Sequence, residues 1–198
     1  YCVIGLIIVI LSVVKTYNLA SRPFDSEEIF SFYYSQGCTF SEFFFQRVCY
    51  DDGNPPLHFL ALRYFHNLFG ASEVNARLLS VVFFAFSMIV FVAVCRRQIG
   101  MSREVTYMST LFYGASSFVH HYARIARAYS LLVFCALATF YFFVEYLQHK
   151  GKAAKKSLIA GGIVVVVGLY SHYGFVVFVL LLIASSFFVS SEKTSVIK

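Results

Sequence analysis

Along the chain, uninterrupted apolar runs occupy positions 1–14, 80–95, 107–119, 131–144, 158–170 and 175–189. With their flanks, five of these reach or approach the roughly 20 residues a helix needs to cross about 30 Å of hydrocarbon. None carries Asp, Glu, Lys, Arg or His in its central residues, where one charge costs about 2.5–3.5 kcal/mol on the insertion scale. The pattern predicts an all-α integral membrane protein: a single membrane domain over 1–198 with about six transmembrane helices. The first run is short, opens on Tyr1 and ends in Lys15 without a small-residue cleavage site. It reads as a span that has lost its start rather than as a signal peptide, so 1–198 is expected to be the N-terminal portion of a larger protein.

The connection 16–73 between the first two runs is too long to be a bare loop. Asp25-Ser26-Glu27-Glu28 precedes an aromatic-rich stretch, and Thr39-Phe40-Ser41-Glu42 precedes Phe43-Phe44-Phe45. Both have the form of a helix-opening capping box. Asp51-Asp52-Gly53-Asn54 then reads as a turn, and Pro55-Pro56 as the start of an amphipathic helix carrying Leu57, Phe59, Leu62, Phe65 and Phe69 up to Gly70. Proline is tolerated at a first helical position because its missing N–H would be unpaired there anyway. These are expected to be juxtamembrane helices lying along the membrane interface.

Composition agrees. With 59% hydrophobic and 13% charged residues, the chain is too apolar for an ordinary soluble domain, a disordered chain, a secreted disulfide scaffold or a nucleic-acid module. The net charge of +6 matters through its placement. Arg96, Arg97 and Arg103 share one short connection, Lys150, Lys152, Lys155 and Lys156 another, and Lys193 and Lys198 the tail. All fall on one side of the expected topology, which reads as cytoplasmic and takes both ends of the chain with it. The segments 16–73, 119–130 and 171–174 then face the external or luminal side, where Asp25, Glu27, Glu28, Glu42, Asp51, Asp52 and Glu73 collect. Of the five cysteines only Cys38 and Cys49 fall there; an oxidising lumen would permit a disulfide between them, and spacing alone leaves it open. No cysteine or histidine spacing suggests a metal site.

Two clusters carry candidate chemistry. A carboxylate among Asp25, Glu27 and Glu28 at the membrane surface can act as general base toward an acceptor hydroxyl. The same residues also suit a purely structural role, with Asp25 as N-cap, Glu28 closing the box and Glu27 favoured by the helix dipole. His120, Arg124 and Arg127 share one face if a helix continues outward through them, and two guanidiniums suit bidentate capture of a phosphate. Arg77 adds a third, and all three could equally snorkel to lipid headgroups. His58 and His172 are weaker candidates, each readable as an interfacial polar residue. A transporter or lipid-flippase half is the alternative; it would show broken helices or mid-membrane charge, for which Gly161, Gly162 and Gly168 are the only hints. Helix packing explains those glycines as well.

Taken in order, these motifs resemble a known family. Glu27-Glu28-Ile29-Phe30-Ser31 resembles the acidic pair in the first external loop of polyprenyl-phosphate-dependent GT-C glycosyltransferases, of the protein O-mannosyltransferase and aminoarabinose-transferase type. Asp52-Gly53-Asn54-Pro55-Pro56-Leu57-His58-Phe59 resembles their Asp-x-His-Pro-Pro-Leu segment. Leu68-Phe69-Gly70-Ala71-Ser72-Glu73 with Ala76-Arg77-Leu78-Leu79-Ser80 resembles a following Leu-Phe-Gly … Arg-Leu-Pro-Ser run. Tyr122-Ala123-Arg124-Ile125-Ala126-Arg127-Ala128-Tyr129 is similar to the external Ala-Arg-x-Tyr motif, and Tyr170-Ser171-His172-Tyr173 to a Thr-His-Tyr turn. The departures are Glu27 for the usual Asp, Asn54 for the frequent His, and Ile125 where many members carry Glu.

The resemblance implies a membrane glycosyltransferase moving a sugar, with inversion, from a dolichyl or undecaprenyl phosphate to an external or luminal acceptor. It implies Glu27 as catalytic base, with Glu28 or Asp25 supporting it or Asp25 taking the role over. Asp52, Asn54, His58, Tyr129 and His172 would line the substrate site, and Arg77, Arg124 and Arg127 would hold the departing phosphate. No cofactor beyond the lipid-linked donor and no metal is required. The expected partners are the bilayer, the polyprenyl-phosphate sugar and an unidentified acceptor, with no nucleic acid.

Overall fold

The computed structural model describes residues 2–36 and 54–195, the stretch from 187 onward for its backbone alone. The second capping box at Thr39 to Glu42, the turn through Asp51 and Asp52, and the pair Cys38 and Cys49 lie outside the described residues.

Described residues form helices and no strand. They are α1 (Cys2–Thr16), a short 3-10 turn (Leu19–Ser21), α2 (Ser26–Ser35), α3 (Leu57–Phe69), α4 (Glu73–Ala93) running into a π-helical turn (Val94–Gln98), α5 (Arg103–Ala115), α6 (Ser117–Tyr122), α7 (Tyr129–Gln148), α8 (Gly151–Leu169) and α9 (Phe175–Ser195). Among the described residues, Cys2–Ser21, Glu73–Gln98 and Tyr129–Gln148 are long and apolar enough to cross a membrane. The chain is an all-α integral membrane protein. The remaining apolar runs are helical too, but α5 is only 13 residues long, α8 opens with Lys152, Lys155 and Lys156, and the apolar part of α9 is Phe175–Ser186.

One expected span is not a single helix. The run 107–119 breaks at Ser116, whose backbone is extended (φ −52°, ψ 132°), so α5 stops at Ala115 and α6 restarts at Ser117. A break leaves carbonyls without their i+4 donors. Here the buried Lys15 from the end of α1 compensates: its Nζ donates to Gly114 O at 2.7 Å and lies 5.3 Å from the Phe84 ring centroid.

α4 is the central element, packed against α1, α3, α5 and α7, while α7 packs in turn on α8 and α9. Its inward residues Phe84 and Met88 meet Ala123, and Leu131 and Cys135 of α7 meet Phe175. Gly168 on α8 permits that last contact, since a side chain there would overlap the Phe175 ring. Gln98 donates to Glu145 at 2.8 Å and Arg97 to the Tyr141 hydroxyl at 3.2 Å, joining the far ends of α4 and α7. The two basic connections therefore share one end of the bundle. α2, α3, the turn 123–128 and the α8–α9 turn share the other, called here the loop end.

Helix α3 starts just after the Pro55-Pro56 pair rather than on it: Pro56 is its N-cap and Leu57 its first residue. It ends where expected, at Gly70, whose positive φ of 88° suits glycine. Ser72 then caps α4 by accepting from Asn75 N at 3.1 Å. α2 and α3 bury Tyr34, Phe59 and Leu62 between and beneath them and leave Ile29, Phe30, Tyr33, Tyr64, Leu68 and Phe69 exposed. This is the division of an interfacial amphipathic pair.

Candidate active site at the loop end

Asp25 opens α2 with a complete capping box: its Oδ1 accepts from Glu28 N at 3.0 Å, and Glu28 Oε2 accepts from Asp25 N at 3.3 Å. Glu28 does more than close the box. Its carboxylate is fully buried and takes a bidentate fork from Arg77, Nε to Oε1 and Nη2 to Oε2, both at 2.8 Å. Ala126 N donates to Oε1 at 2.9 Å, and Arg22 Nη2 approaches Oε2 at 3.3 Å. Burial alone would raise the Glu28 pKa; the Arg77 fork first, then the Ala126 and Asp25 N–H groups, reverse this and hold it below the usual carboxylate range. Arg77 is equally committed. Beyond Glu28 it donates to the carbonyls of Leu19 at 2.6 Å, Arg22 at 2.7 Å and Pro23 at 3.2 Å, so this arrangement offers no guanidinium edge of Arg77 to a phosphate.

The same contacts explain why His120, Arg124 and Arg127 do not share a helical face, as the outward-helix expectation had it. α6 ends at Tyr122 and α7 begins at Tyr129. Between them Ala126 N is taken by Glu28, while Ser80 Oγ donates to Ile125 O at 2.6 Å. These long-range bonds replace the i→i−4 ladder and fold 123–128 into a turn. The two arginines consequently diverge. Arg124 donates to Tyr17 O at 2.8 Å and lies 3.0 Å from His120 Nε2, with Lys15 Nζ 3.1 Å from the opposite ring nitrogen. Burial, then Lys15 and Arg124, depress the His120 pKa. Arg127 instead turns toward α2, its Nη1 3.3 Å from Ser31 Oγ and its Nε 3.5 Å from Glu27 Oε2.

Adjacent helical residues point about 100° apart, so the carboxylate next to the buried Glu28 faces outward. The Glu27 side chain is 55% exposed and accepts a hydrogen bond from the Tyr129 hydroxyl at 3.2 Å. Tyr129 is itself fixed between Tyr122, with ring centroids 4.8 Å apart, and His172, at 6.2 Å. Leu57 N donates to Tyr170 O at 3.0 Å, bringing the α8–α9 turn against the start of α3. Asn54, His58, Arg127, Tyr129 and His172 thus line one small crevice. His58 is buried with neither ring nitrogen hydrogen-bonded. Burial lowers its pKa to about 4, with Arg127 pushing the same way and the Ala126 backbone opposing without being placed for a hydrogen bond. Asp52 lies outside the described residues. Among the described residues no group of three or more His, Cys, Asp or Glu side chains converges.

Glu27, Arg127, Tyr129, His58 and His172 come from four separate segments and meet at one end of a membrane bundle. Residues 53–198 match the family model of dolichyl-phosphate-mannose-protein mannosyltransferases. The chain belongs to this family. It is a membrane glycosyltransferase of the GT-C type, which favours the transferase over the transporter or flippase alternative. Searches of curated proteins and of solved structures found no match. In this mannosyltransferase-family chain α2 lies ahead of the matched stretch, whereas α3, the 123–128 turn, Tyr129 and His172 lie inside it.

Three features of the loop end were not legible as site features. Lys15 had the look of a lysine flanking a span, yet it turns inward. Ser80 and Ser31 carry no sequence signal, because their partners Ile125 and Arg127 are remote in the chain. An apolar cavity of about 220 Å3, lined by Phe84, Tyr113, Phe118, Tyr122, Tyr129 and Val133, opens beside the phenol that reaches Glu27; its lining comes from four helices, and no local motif announces it.

Proposed function

We propose that this chain forms the catalytic loop end of an inverting transferase that moves a sugar, mannose or a close relative, from a polyprenyl phosphate to an acceptor hydroxyl or amine on the external or luminal face. Glu27 is the general base. One observation carries this reading: of Asp25, Glu27 and Glu28, Asp25 caps α2 and Glu28 is saturated in a buried ion pair. Asp25 is exposed too, but its Oδ1 is spent on the cap; of the three, Glu27 alone lies beside both a guanidinium, Arg127, and a phenol, Tyr129.

In the reaction, Glu27 takes the acceptor proton as the acceptor atom attacks the anomeric carbon, and the bond from that carbon to the phosphate oxygen breaks. Arg127 neutralises the charge appearing on the departing polyprenyl phosphate, and Tyr129 orients the Glu27 carboxylate by its hydrogen bond. Arg77 and Glu28 are positioning residues that fix α2, and Arg124 ties the 123–128 turn to the end of α1. The apolar cavity beside Tyr129 supports a lipid-linked donor by offering room for its first isoprene units. The Arg127 guanidinium supplies a charge-assisted partner for the phosphate, and the scheme routes no step through a metal or a further cofactor. The remaining apolar helices complete about six spans, with the basic connections on the cytoplasmic side.

The test is sugar transfer in membranes containing the full-length protein. Glu27→Gln should abolish transfer while leaving expression and donor binding intact. Activity retained in Glu27→Gln but lost in Asp25→Asn would move the base to Asp25.

A further inference from the structure

In the crevice between the start of α3 and the α8–α9 turn, His58 and His172 are polar groups that the transfer scheme does not use. His58 is only 2% exposed, and both of its ring nitrogens lack a partner among the described residues. Buried polar groups in native structures are nearly always hydrogen-bonded, and an unpaired one costs about 1–3 kcal/mol. The neighbouring groups do not relieve it: the Ala126 carbonyl faces one ring nitrogen without being placed for a hydrogen bond. Ser171 Oγ donates to Val167 O at 2.6 Å, and the Tyr129 hydroxyl donates to Glu27. The volume left beside His58 is about 10 Å3, which admits one water-sized group and no more.

The chemistry of that group follows from the lining. A neutral imidazole presents one donor and one acceptor. His172 Nδ1 accepts from Gly174 N at 3.0 Å, which leaves the proton of a neutral ring on Nε2 as a further donor. With the ring proton favoured on the side of the Ala126 carbonyl, the other nitrogen of His58 is an acceptor, to which a phosphate oxygen, itself only an acceptor, offers nothing. A cation would meet the Arg127 guanidinium on the same wall. An alcohol hydroxyl can donate to that one nitrogen of His58 while accepting from His172 Nε2, and it fits the volume.

We infer that His58 and His172 form a single-hydroxyl subsite that reads one ring hydroxyl of the transferred sugar. The sugar is favoured over the acceptor because Arg127 lines the same crevice, and a hydroxyl within reach of the group that holds the donor phosphate belongs to the sugar attached to that phosphate. The inference rests on the reading of Arg127 as the donor-phosphate arm.

The test is equilibrium binding to full-length protein carrying Glu27→Gln, so that no turnover is needed, using dolichyl-phosphate-mannose and its single-deoxy analogues at each ring position. One analogue should bind roughly tenfold to a hundredfold more weakly than the parent donor, the factor corresponding to one orphaned buried group. Adding His58→Leu should weaken the parent donor by a similar factor and erase the difference between the two. Adding His58→Gln, which keeps a donor and an acceptor, should restore part of the discrimination. Adding His172→Ala, in a surface turn, should reduce it without touching the core. Equal binding of all analogues would mean that the crevice holds a resident water only and would overturn the inference. Unchanged donor discrimination in the His58→Leu background, with a raised KM for a serine-bearing peptide when Glu27 is intact, would assign the hydroxyl to the acceptor and overturn it too. Because binding is read without catalysis, a Glu27→Gln protein that still transferred sugar would defeat the general-base reading while leaving this one standing.

Discussion

Replacing Glu28 by leucine removes the carboxylate that holds α2, α4 and the 123–128 turn together. Arg77 would be left buried, its Nε and Nη2 without the oxygens now 2.8 Å away, and Ala126 N would lose its acceptor at 2.9 Å. Breaking a buried pair by deleting one partner costs about 3–5 kcal/mol, because the surviving charge is uncompensated. At about 2–4 °C per kcal/mol for a chain of this size, the melting temperature of the full-length protein in detergent should fall by on the order of 10 °C. The double variant Glu28→Leu/Arg77→Met removes the orphaned charge and should recover part of the loss. Recovery stays incomplete because the carbonyls of Leu19, Arg22 and Pro23 lose their donor. The pH dependence has a fixed sign. The Glu28 pKa is depressed in the folded state, so the pair's contribution is present above the ordinary glutamate value of about 4.3. It is lost as pH falls through the depressed value, and the leucine variant should lack that acid-side loss. A Glu28→Leu protein melting within about 2 °C of the parent, against the larger fall set by the buried-pair cost, would refute the reasoning.

Glu27→Gln should reduce transfer by at least about a hundredfold, as loss of a general base does, with an unchanged melting temperature because the side chain is half exposed; a parallel loss of stability would point to a structural role. Arg127→Ala should weaken binding of dolichyl-phosphate-mannose roughly tenfold, whereas unchanged donor affinity would leave Arg127 only its contacts with Glu27 and Ser31. His58, with a folded pKa of about 4 against an ordinary value of about 6.5, stays neutral in the folded protein. Its contribution is therefore full above about pH 6.5 and is lost on acidification, amounting to about 3 kcal/mol by pH 4. Denaturation between pH 7 and pH 4 should show this slope, and His58→Gln should flatten it.

What could be read along the chain was what local chemistry decides. The Asp25–Glu28 capping box, the stop of α3 at Gly70 and the helical character of every apolar run each depend on residues within one or two turns. What could not be read depends on partners far apart in sequence. Arg77 looked like a third phosphate arm or a snorkelling anchor because nothing near it shows Glu28, 49 positions away, as its partner. The helical face expected for His120, Arg124 and Arg127 failed for the same reason: Glu28 and Ser80 capture the backbone between Tyr122 and Tyr129. The break at Ser116 depends on Lys15, 99 positions from the Gly114 carbonyl it satisfies.

Two adjacent glutamates divide the work of the loop end because a helix sends them in different directions. Inward, Glu28 meets Arg77, the Ala126 N–H and the start of its own helix, and it converts three chain segments into one rigid corner. Outward, one residue earlier, Glu27 has no such partners and is positioned by that rigidity, within reach of Tyr129 and Arg127. A base on a freely moving interfacial helix would have to be ordered at each turnover, and misplacement by about 1 Å costs roughly a hundredfold in rate. Glu28→Gln, which keeps the side-chain shape but loses the ionic fork, should therefore lower transfer as well as stability. The two losses should be separable: at temperatures where Glu28→Gln is fully folded, donor binding persists while turnover drops, the signature of a positioning residue acting through Glu27.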